Sequence, residues 1–67
     1  MPQFTTGQLI EIVYQGEGKS TASHYRGLID DIKVPKTTNM QLLIVKLDGD
    51  NGYKSFYPHK AVEIKIL

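Results

Sequence analysis

The sequence predicts an all-β fold of five short strands closed into a small barrel. Three observations lead there. Apolar residues alternate with a period of two and not 3.6. The segments between them are rich in Gly, Ser, Asn and Pro. No stretch carries a helical stripe. At 67 residues the chain has room for one domain, read here as 1–67, with a small core.

Ile10, Ile12 and Tyr14 alternate with Glu11 and Val13 and predict a strand over 8–14. Gln15 to Ser23 is polar and predicts a long first loop. His24 to Val34 is extended again. Tyr25, Gly27 and Ile29 share one face, whereas Ile32 and Val34 have the opposite parity. That switch predicts a bulge or bend near Asp30-Asp31. Gly27 marks a place where another backbone comes close.

Pro35 to Asn39 forms a second loop. Gln41 to Asp48 is the strongest strand, with Leu43, Val45 and Leu47 on one side. Leu42 and Ile44 face the other side, which predicts a strand that is central or covered on both sides. Asp48-Gly49-Asp50-Asn51-Gly52 is a hairpin connection, since Gly and Asn accept positive φ. Tyr53 to Tyr57 returns. Here either Phe56 or the pair Tyr53 and Tyr57 faces inward, and the pattern leaves both readings open. Pro58-His59-Lys60 predicts one turn of 3₁₀ helix, and Val62, Ile64 and Ile66 define the last strand.

The order of connections is long loop, medium loop, tight hairpin, single helical turn. It resembles the SH3-like barrel, with its long first loop and its helical turn before the last strand. Gly52-Tyr53-Lys54-Ser55-Phe56 followed by Val62-Glu63-Ile64 is similar to the strand pair that closes Sm-like and WYL-type barrels. An oligonucleotide-binding (OB) barrel is the competing architecture, but it carries a helix between strands three and four that this sequence lacks. The SH3 domains of signalling proteins read proline-rich peptides with an aromatic cluster that includes Trp. This chain has no Trp, and no acidic-aromatic motif follows Tyr14, which argues against that ligand.

Composition excludes several functions. There is no Cys, so neither a disulfide scaffold nor a thiolate zinc site is available. The lack of Cys suits a reducing cytoplasm, the compartment expected here. The longest apolar run, Leu42 to Val45, stops at Lys46, far short of the roughly 18 residues of a membrane span. The first residues carry neither a charged n-region nor an apolar h-region, and the expectation is a native start without a signal peptide.

Gly18-Lys19-Ser20-Thr21 resembles the end of a phosphate-binding loop. The motif needs Gly five residues earlier, where Val13 stands. Asp48-x-Asp50-x-Gly52 hints at a calcium loop, but the glycine is one position early and His59 occupies the place of the bidentate Glu. His24 and His59 lack the spacing of a metal pair. No nucleophile elbow surrounds any Ser, and a barrel this small leaves little interior for a water-excluding pocket. No enzymatic activity, metal, cofactor or small-molecule substrate is expected.

The remaining signals are for binding. The leading reading is a protein-interaction module or accessory subunit, or a homo-oligomer. It would use Leu42 and Ile44 on the second face of the strong strand, and Ile66 and Leu67 on a last strand free to pair with a partner. The alternative is nucleic-acid binding. The chain is net acidic before residue 33 and basic over 33–47 and 51–67. Arg26, Lys33, Lys36, Lys54 and Lys60 would contact phosphates while Tyr53 or Tyr57 stacks on a base. A formal net charge of +1 weighs against tight nonspecific binding.

Overall fold

The computed structural model describes residues 4–16, 18–49 and 51–67. Five strands form one antiparallel sheet: β1 (Leu9–Tyr14), β2 (Ser23–Lys33), β3 (Leu42–Leu47), β4 (Tyr53–Phe56) and β5 (Glu63–Ile66). A 3₁₀ turn over Pro58–Lys60 joins β4 to β5. The order across the sheet is β4-β3-β2-β1-β5. The two outer strands are not hydrogen-bonded to each other, so the sheet is open and the expected closure is not made. β3 is flanked by β2 and β4, but the centre of the sheet is β2.

The alternating residues define one inner face. Ile10 and Ile12 of β1, Ile29 of β2, Leu43 and Val45 of β3 and Phe56 of β4 are buried in a single cluster. Tyr14, Tyr25, Ile32, Leu47, Ala61 and Ile64 pack against it. Phe56 is thus the inward aromatic of β4, Tyr53 is exposed and Tyr57 is half-buried. Leu42 and Ile44 are also half-buried. They lie on the outer face, opposite Lys33 and Asp31 of β2, and among the described residues no other strand stacks on that face.

A sheet buries one cluster drawn from both ends only by rolling up. Tyr14 and Phe56 are three strand spacings apart in the sheet, about 14 Å. Their registry partners on β2 and β3, Ser23 and the Ile32–Leu43 pair, are displaced by nine positions along β2, a further ~30 Å if β2 were straight. The two ring centroids are nevertheless 5.7 Å apart. β2 therefore bends sharply, its first half pairing with β1 and its second with β3.

Two sequence features make the bend. The β2–β3 register shifts between Ile29 and Asp31, where the parity of apolar residues switches. A bulge there increases local twist. At Gly27, a Cβ would collide with the carbonyl oxygen of Lys46. Only a residue without a side chain lets β3 come this close.

Turns follow local chemistry. Asn39 donates its N–H to the Pro35 carbonyl at 2.7 Å and has φ of 54°, which Asn tolerates. In the β3–β4 hairpin, Leu47 N–H donates to Gly52 C=O at 2.8 Å and Gly52 has φ of 75°. Asp50, named above in the hairpin and the calcium-like spacing, lies outside the described residues. β2 ends at Lys33, which leaves Val34 exposed in the loop, and β5 starts one residue after Val62.

Phe4 is a core residue that the alternation does not reveal. Gly7 N–H donates to Ile29 C=O at 2.7 Å, and Ile29 N–H to Gln8 C=O at 2.9 Å. These bonds tie the segment before β1 to β2. The Gln8 side-chain oxygen accepts from Thr5 N–H at 2.8 Å, and the turn so formed places the Phe4 ring over the end of the core.

Candidate functional site

The open edge of β5 is the candidate site. Its other edge pairs with β1, Ile12 opposite Ile64 and Ile10 opposite Ile66. Leu67 N–H donates to the carbonyl of Leu9, its opposite residue, at 2.9 Å. Glu63, Lys65 and Leu67 therefore face β1, as does the N–H of Val62 just before the strand, and the alternation of an antiparallel ladder turns the N–H and C=O of Ile64 and Ile66 outward. An unpaired row of this kind is a template for another strand.

A groove runs beside this edge. It encloses about 530 Å³ and is bounded by Phe4, Met40, Ala61, Val62 and Ile64, with Asn39 and Gln41 at the rim. Most of its lining is apolar. Val62 is 62% exposed and Met40 46%, so two large apolar side chains face water beside β5. Ile66 and Leu67 are exposed along the same strand. The 3₁₀ turn positions Val62: Ala61 N–H donates to Pro58 C=O at 3.1 Å, and Val62 N–H then donates to Val13 C=O at 2.8 Å.

Of the four predicted interaction residues, the structure brings Ile66 and Leu67 to this edge. Leu42 and Ile44 are not there. They stand on the outer face of β3, opposite Lys33 and Asp31, three places from β5 in the sheet order. Phe4 and Met40 were missed. Met40 sits in a polar connection, and its only signal is a large apolar residue where turn residues are expected.

The predicted basic residues do not form one stripe. Arg26 is on the outer face, opposite Glu11 in the ladder and 3.5 Å from the carboxylate of Asp48. Lys33 closes β2 and Lys36 lies in the following loop. Lys54 is on the other face of the sheet, in register with buried Val45, and its ammonium stands 4.9 Å from the centroid of the Tyr25 ring. Lys60 lies over Tyr57 at 5.4 Å, and His59 packs on the same tyrosine at 5.6 Å between ring centroids. Tyr25 also packs on Phe56. Its hydroxyl is more acidic than an ordinary tyrosine, first through hydrogen bonding with Ser23 and then with Lys54, with Lys19 adding a weaker attraction.

A second, smaller hollow of about 250 Å³ lies on the outer face among Glu11, His24, Arg26, Glu63 and Lys65. It carries both signs of charge, and Lys65 is 3.5 Å from Glu63. Among the described residues no three His, Asp or Glu side chains gather as metal ligands would, and no helix is long and apolar enough to cross a membrane. No family model, curated protein or solved structure matches the chain.

Proposed function

We propose that this protein is a non-enzymatic binding module that pairs an extended protein segment with the open edge of β5. The observation that carries the reading is the juxtaposition of outward backbone groups at Ile64 and Ile66 with the apolar groove of Phe4, Met40 and Val62. Backbone pairing supplies affinity in such a mode, and side-chain pockets beside the strand supply selectivity. The rolled sheet supports a variant of the SH3-like barrel: a long bulged second strand, a tight β3–β4 hairpin and a 3₁₀ turn before β5.

The test is a heteronuclear NMR titration with a panel of extended peptides bearing apolar residues at alternate positions. Binding peptides shift the amides of Ile64 and Ile66 and the Met40 methyl group, and Val62→Arg abolishes the effect. Shifts confined to other strands, or none with any peptide, would overturn the reading.

A second reading, nucleic-acid binding, is favoured by the two lysines held on tyrosine rings, Lys54 on Tyr25 and Lys60 on Tyr57. Its test is a titration with short DNA and RNA at about 50 and 200 mM salt, between which phosphate-driven affinity falls steeply. Salt-sensitive binding lost in a Lys54→Ala, Lys60→Ala double variant supports it. No binding at the lower salt rejects it.

A further inference from the structure

The edge of β5 is complementary to itself in one register. We propose that the segment it takes is β5 of a second copy of this chain. The two strands run antiparallel about a two-fold axis at Ile64. This inference rests on the reading of β5 as an interaction edge and names its partner.

Backbone geometry limits the choices. Outward-facing residues must meet outward-facing residues for the ladder to form, so the axis passes through a residue and not between two. Three positions leave most of the strand overlapped: Glu63, Ile64 and Lys65. An axis at Glu63 sets that carboxylate against its own copy, and an axis at Lys65 does the same for two ammonium groups. Like charges directly opposite are destabilising.

An axis at Ile64 removes the conflict. Glu63 then stands opposite Lys65 of the second copy, and Lys65 opposite its Glu63, both pairs on the outer face. In the single chain these two residues have each other, at 3.5 Å, and both are exposed. On the inner face Ile64 meets its own copy, and the Val62 side chain lies opposite Ile66, although the Val62 N–H is already given to the Val13 carbonyl and adds no bond to the new ladder. Val62 and Ile66 are 62% and 44% exposed, so this register covers two of the large apolar side chains that the rolled sheet leaves in water. It also brings Ile66 of the second copy beside Val62, which lines the groove together with Phe4. Charge, apolar matching and the outward parity of Ile64 and Ile66 select the same register. The contact extends the sheet through an isologous interface.

The experiment is sedimentation equilibrium on four proteins: wild type, Glu63→Lys, Lys65→Glu and the double exchange. The interface is small, so loading runs from about 10 µM to about 1 mM. Wild type and the double exchange dimerise. Each single variant sets like charges opposite each other twice and dimerises at least about tenfold more weakly. An equimolar mixture of the two single variants restores dimer, because one carries two lysines and the other two glutamates on the facing edge. Misfolding cannot be rescued by mixing. Circular dichroism melts confirm that each variant is folded.

A wild type that stays monomeric throughout overturns the inference, as does a dimer indifferent to both single exchanges or an assembly larger than two. If the wild type is monomeric while alternating peptides still shift Ile64 and Ile66, the partner is wrong and the interaction edge stands. If neither occurs, both fall.

Discussion

The ammonium of Lys54 stands 4.9 Å from the centre of the Tyr25 ring, although the two residues lie on strands separated by β3. The roll of the sheet brings them together. Hydrogen bonding from Ser23 and from Lys54 then lowers the tyrosine's pKa below its ordinary value near 10. A depressed pKa means that folding favours the tyrosinate. Its contribution to stability is absent below the folded value, grows as pH rises through it, and is complete above the unfolded value. Absorbance of tyrosinate near 295 nm should show one of the four tyrosines titrating ahead of the rest. Lys54→Met should move that early step upward, and an unchanged titration would separate Lys54 from Tyr25.

Gly27→Ala should destabilise the domain by about 1–3 kcal/mol or more, since the added methyl meets backbone and not a movable side chain. The clash is with β3, so the bend of β2 opens and the inner cluster loosens. Denaturant unfolding measures this. A midpoint equal to wild type would mean that β2 and β3 are not in close approach there.

Phe4→Ala should cost about 3 kcal/mol, the lower end for a buried aromatic because Phe4 keeps some exposure at the groove. For a domain of this size that is a large share of total stability. A thermal melt that does not move would place Phe4 outside the core.

Val45 and Ile44 are neighbours on opposite faces of β3. Val45→Ala should leave a cavity costing about 1–3 kcal/mol, somewhat below the cost of larger deletions. Ile44→Thr on the outer face should cost less than about 1 kcal/mol, within the range of surface changes and β-propensity. Reversal of that order by chemical denaturation would mean the faces are misassigned.

Much of the architecture was legible along the chain because it depends on local chemistry. Period-two alternation set the five strands to within a few residues, since side chains alternate across any strand. The parity switch at Asp30-Asp31 announced the bulge, Gly27 the close approach, and Pro58 the 3₁₀ turn. Each is a constraint that a residue imposes on its own backbone.

The sequence by itself therefore determined the strands, their turns and the irregularities of β2. Only the tertiary structure decided which aromatic of β4 faces inward, because Phe56 and Tyr53 differ in burial only once the inner face is defined by other strands. It also separated Arg26 from Lys54 onto opposite faces and brought Phe4 and Met40 beside β5. Those placements depend on how far β2 bends and which edges stay unpaired. The physical reason is that the roll of the sheet is set by contacts between residues far apart in sequence, such as Tyr14 and Phe56, and no local pattern encodes the distance between them.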